Sequence, residues 1–107
     1  MHEGVHVKDN QEEKDMSEWR RVVVTGLGAV TPVGNNVSET WNSLKNGKNG
    51  IAPITFFDTE GFKAKLAAEV KGFEPKEYLE VNEILRTDRY AQLAVAAAAQ
   101  AVEDSGI

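Results

Sequence analysis

The run Arg20-Arg21-Val22-Val23-Val24-Thr25-Gly26-Leu27-Gly28-Ala29-Val30-Thr31-Pro32-Val33-Gly34 constrains this chain more than any other stretch. Three consecutive valines make a short unbroken apolar run rather than an alternation, which is the pattern of a strand covered on both faces. Gly26 and Gly28 admit close backbone approach, and Pro32 cannot donate to a ladder. The strand is therefore expected to end near Thr25 in an irregular glycine-rich loop that leads into a helix. A mixed α/β unit follows from this pattern, with the strand asking for neighbours on both sides.

A strand, a G-x-G turn and a helix also open the dinucleotide-binding fingerprint, which sets a pyrophosphate on the helix N-terminus. Here the third glycine position holds Thr31, and the next glycine is Gly34. The acidic residue that should close a second strand is missing as well, its place taken by the polar stretch around Lys45 and Lys48. Nucleotide binding is not expected.

Two helices are legible. Asn36 is placed to cap the first, with Glu39 three residues on reaching back. Val37, Trp41 and Leu44 then recur at i, i+4 and i+7 on a face expected to pack, before Gly47 ends the helix. The second is expected to start at Thr87 or Asp88, run through Ser105 and stop at Gly106. Its middle, from Leu93 to Val102, is mostly alanine and apolar nearly all round, so burial on most sides is expected. Between the helices, residues 63–70 alternate roughly and read as an edge or hairpin strand. Phe56, Phe57 and Phe62 are expected to form a local core under a loop.

Residues 1–18 read differently. They are rich in charge and amide, and too poor in apolar side chains to offset the cost of ordering, so a disordered tail or extension is expected, with the domain proper over residues 19–107. The tail has no apolar core of a signal peptide. It contains His2-Glu3-Gly4-Val5-His6, which fits the zinc-protease string H-E-x-x-H. The glycine inside it and the want of a further histidine speak against a metal site, and none is expected.

Formal net charge is −5, with both signs mixed along the chain, so no basic balance points to nucleic acid. No apolar stretch reaches the ~18 residues needed to span a bilayer. The 107 residues contain no cysteine, which excludes both a disulfide framework and a thiol nucleophile within them.

Several separated segments resemble the β-ketoacyl-acyl-carrier-protein synthases. They are the opening run itself, Trp41-Asn42-Ser43-Leu44-Lys45-Asn46-Gly47-Lys48-Asn49-Gly50-Ile51, Ile54-Thr55-Phe56-Phe57-Asp58-Thr59, Leu66-Ala67-Ala68-Glu69-Val70 and Glu103-Asp104-Ser105-Gly106-Ile107. The resemblance covers residues 19–107 and is strongest to the elongating condensing enzymes of type II fatty acid synthesis.

It implies the N-terminal portion of a thiolase-like αβαβα layered fold, incomplete in this chain. It also implies a cytoplasmic acyltransferase, usually a homodimer, that uses no cofactor and takes its substrates from an acyl carrier protein. In the family, an acyl group passes to a cysteine thiolate, two histidines assist malonyl decarboxylation, and the carbanion attacks the thioester. Those residues lie beyond the matched stretch, so no catalytic residue is assigned here. One surface is implied. The family's basic carrier-docking patch includes the helical stretch matching Asn82-Glu83-Ile84-Leu85-Arg86. Arg86 falls on a basic position and is the candidate docking residue, whereas Asn82 and Leu85 depart from the pattern. Two alternatives remain open: a polyketide ketosynthase or its inactive chain-length partner, and a non-catalytic interaction module.

Overall fold

A computed structural model of the chain describes residues 18–107; residues 1–17, with the histidine string, therefore lie outside the described residues. The elements in order are α1 (Val37–Lys45), β1 (Ile51–Pro53), β2 (Leu66–Ala68), a 3-10 turn (Pro75–Glu77), α2 (Val81–Arg86) and α3 (Arg89–Ser105).

Local chemistry sets the helix ends where the sequence places them. Asn36 Oδ1 accepts from the Glu39 N–H at 2.8 Å. Glu39 Oε1 reaches back to the Asn35 N–H at 2.9 Å, one residue before the cap. Gly47, at φ 69°, takes the left-handed conformation that closes α1. Asp88 holds the cap position of α3 by its backbone alone, its side chain making no capping hydrogen bond, and Gly106 ends that helix at φ 79°. The strand expected within residues 63–70 is β2, which pairs antiparallel with β1 in the register Ile51–Ala68, Ala52–Ala67 and Pro53–Leu66.

Burial departs from the sequence pattern in four places. Val22, Val23 and Val24 are 90, 71 and 79% exposed, and no described segment pairs with them. A strand exists only as part of a ladder, and the one sheet among the described residues is the β1–β2 pair. Trp41 and Leu44 are exposed, so the expected packing face of α1 is not its packing face. That helix is held instead through polar groups: the Ser43 hydroxyl donates to the Val33 carbonyl at 2.7 Å, and the Thr40 and Thr31 hydroxyls share a 2.9 Å bond.

Helix α3 is enclosed along one stripe rather than all round, with Ala96 at 0% and Gln92 at 7% exposure, while Val95 and Val102 face outward. Phe57 and Phe62 meet edge to face at 5.7 Å, yet both rings and Phe56 are exposed, so they form no core under their loop. In each case the side-chain spacing marks residues able to pack but cannot tell whether anything covers them.

Candidate functional site

The glycine-rich segment lies against the inner stripe of α3. A Cβ on Gly26 would collide with the Ala101 carbonyl oxygen, and one on Gly28 with the Ala97 carbonyl oxygen. Both glycines are there for close approach of two backbones, which the small side chains at Ala97, Ala101 and Ser105 permit. Neither glycine faces a space that a phosphate could enter. The next helix, α1, begins only after Asn36, so the loop has no helix N-terminus at its glycines. The dinucleotide arrangement is absent.

Helix side chains take the place of a strand partner along this segment. The Leu27 N–H donates to Asp104 Oδ2 at 3.0 Å, and the Ala29 N–H to Gln100 Oε1 at 3.0 Å. Residues two apart in an extended chain offer their amides on the same edge, and residues four apart on a helix share a face. Gln100 is the junction: its Nε2 donates to the Asn35 carbonyl at 2.8 Å and to the Tyr78 hydroxyl at 3.1 Å. Tyr78 stacks on Phe73 at 6.1 Å, and the Arg89 guanidinium sits 5.1 Å above the Phe73 ring. One glutamine thus joins the glycine segment, the entry to α1 and the turn before α2.

Two further polar anchors carry no sequence signal. Lys71 Nζ donates to three carbonyls, those of Glu69 at 2.7 Å and of Pro32 and Gly50 at 3.4 Å. The Glu69 carboxylate accepts from the Thr55 hydroxyl at 2.8 Å, the Thr55 N–H at 3.1 Å and the Phe56 N–H at 3.4 Å. The Thr55 hydroxyl, with those amides, holds its pKa below the ordinary 4.5. What these groups build is a scaffold. The sequence holds no cysteine, and its two histidines, His2 and His6, lie outside the described residues.

Arg86 is the last residue of α2 and is exposed, beside the exposed Leu85. Arg89, one turn further along the chain, belongs to α3 and is engaged by the Phe73 ring.

Comparison with known proteins accounts for this scaffold. The model of the β-ketoacyl synthase N-terminal domain matches residues 19–107. The chain is 50% identical over 90 residues to the 3-oxoacyl-[acyl-carrier-protein] synthase 2 of Coxiella burnetii, covering 84% of this chain and 22% of that protein. It is 46% identical over 88 residues to the enzyme of the same name from Synechocystis, covering 82% and 21%. Among solved structures it resembles the ishigamide ketosynthase/chain length factor, with a TM-score of 0.72 and 43% identity over 82% of this chain and 22% of that one. The chain thus spans about a fifth of the length of these relatives. Its mixed α/β arrangement is the N-terminal portion of the thiolase-like ketosynthase fold. With a family model covering all but the tail, and relatives agreeing over the same residues, this chain belongs to the β-ketoacyl synthase family.

Proposed function

We propose that residues 19–107 act as the N-terminal segment of a 3-oxoacyl-[acyl-carrier-protein] synthase, an acyltransferase that condenses a malonyl carrier with an acyl-enzyme thioester in fatty acid elongation. The observation that carries this reading is the identity of about half the residues to enzymes of that name over almost the whole described chain. The residues present supply no reacting group. Their part is to lock the glycine-rich segment onto α3 through Gly26, Gly28, Gln100 and Asp104, so that the rest of a synthase has a rigid surface to build on. The proposed partner is an acyl carrier protein, docking in part through Arg86; a cytoplasmic homodimer completes the proposal. Among the described residues, no helix is long and apolar enough to cross a membrane.

The test is a chimaera in which residues 19–107 replace the matching segment of the Coxiella burnetii relative. Malonyl-dependent extension of an acyl carrier is expected. A folded chimaera without product would count against the reading. In the same protein, Arg86→Glu should raise KM for the carrier severalfold at low salt. The defect should shrink as salt rises, because steering charges are screened over a Debye length of ~10 Å at 0.1 M. Salt-independent or unchanged kinetics would remove Arg86 from the docking surface.

Gly28→Val probes the scaffold itself. The added side chain has only the backbone of α3 to enter, and a carbonyl group cannot move aside as a flexible side chain would. A loss of about 3 kcal/mol of stability is expected, the upper part of the range for overpacking. It would be read as a shift in the denaturant midpoint of the chimaera. An unchanged midpoint would show that this loop and α3 are not in contact.

A further inference from the structure

Resting on the reading of Arg86 as a carrier contact, we infer that Gln92 is a positioning residue for that docking surface, acting through α2. Gln92 is 7% exposed, the one polar side chain among the described residues to be so enclosed. An amide taken out of water is costly unless its hydrogen bonds are made. Those of Gln92 go to the end of α2: Nε2 donates to the Ile84 carbonyl at 3.2 Å, the Thr87 carbonyl at 3.2 Å and the Thr87 hydroxyl oxygen at 3.3 Å.

The last carbonyls of any helix lack partners within it. In α2 the Thr87 hydroxyl donates to the Glu83 carbonyl at 2.7 Å, and the Ile84 carbonyl, which takes the Thr87 N–H only at 3.5 Å, accepts the shorter bond from Gln92. The two side chains together close the helix terminus. They matter more here than in a longer helix, because α2 has six residues and buries none of them. So short a helix is not stable on propensity, and packing supports it only through the half-buried Ile84. Arg86 stands between Ile84 and Thr87, the two residues whose carbonyls Gln92 grips. Release of that grip frees the last turn, and the carrier then has to order Arg86 as it docks, which weakens binding without touching the chemical step.

The experiment compares Gln92→Leu with Arg86→Glu in the full-length chimaera, using an acyl carrier and, separately, a carrier-free malonyl thioester. Gln92→Leu should raise KM for the carrier about tenfold, the effect of one lost hydrogen bond at the upper end. Turnover of the carrier-free thioester should be unchanged. Thr87→Val, a milder change at an exposed position, should move KM in the same direction by less. If Arg86→Glu raises KM while Gln92→Leu and Thr87→Val leave it unchanged, the positioning role is overturned and the docking reading stands. Equal loss with both substrates also overturns it, since a general folding defect does not distinguish them. If Arg86→Glu itself has no effect, the docking reading falls and this inference with it.

Discussion

Residues 1–107 by themselves are expected to form no condensation product from an acyl carrier and a malonyl carrier. Carbon–carbon bond formation of this type needs a group that accepts the acyl chain as a thioester, and the thiolate of a cysteine is that group. The chain has no cysteine at any position. A serine ester would not replace it without a base beside the hydroxyl. Ser43 illustrates the point: its hydroxyl donates to the Val33 carbonyl and serves to fasten α1. Histidines are limited to His2 and His6, in a stretch that the family match does not include. The loss relative to a complete synthase should be total within detection. Extension product above a no-protein control, measured with purified chain, would show that some residue here acts as a nucleophile and that the division between scaffold and chemistry is wrong.

How far the sequence reaches is visible in particular residues. The ends of α1 and α3 were legible because capping is local: Asn36 answers an amide three residues away, and Gly106 is needed where the chain turns left-handed. The close approach at Gly26 and Gly28 was legible too, but its partner, the small-residue stripe of α3, lies more than sixty residues on and leaves no mark nearby. Burial was not legible. Three valines in a row specify a segment able to be covered on both faces, while exposure depends on whether other strands are present.

The anchors at Lys71 and Glu69 escaped because a charged residue on a polar stretch reads as solvated surface, and its backbone partners have no sequence at all. Gln92 and Gln100 are a different case. They are the polar residues inside an otherwise apolar helix segment, and such an interruption is a signal that a hydrogen-bonding role awaits inside the fold. The structure gives both of them that role. Arg86 was reached only through family resemblance, since an exposed arginine at a helix end is ordinary.

The isolated chain is also expected to be weakly folded and to self-associate. Among the described apolar side chains Ala96 alone is fully enclosed, while Val22, Val23, Val24, Trp41, Leu44 and Leu85 are all exposed. Fixing one residue's backbone costs roughly 1–2 kcal/mol of conformational entropy, and buried apolar surface is the main term that offsets it. A chain with so little fully enclosed apolar surface has little to set against that cost; the polar ties at Gln100, Lys71 and Glu69 offset little of it, because each exchanges hydrogen bonds to water for hydrogen bonds within the chain. The valine run adds a second hazard, since its N–H and C=O groups, which pair with none of the described residues, form an open edge on which another copy can add a strand. Association should therefore rise with concentration and fall when the edge is blocked. Circular dichroism is expected to show a broad transition below ~45 °C, the lower end for mesophile domains. Sedimentation at micromolar concentration should show species larger than a monomer, and Val23→Pro, which removes one amide donor from the edge, should reduce them. A monomer with a sharp, cooperative transition above that temperature would mean that residues 18–107 bury far more apolar surface in solution than this fold allows.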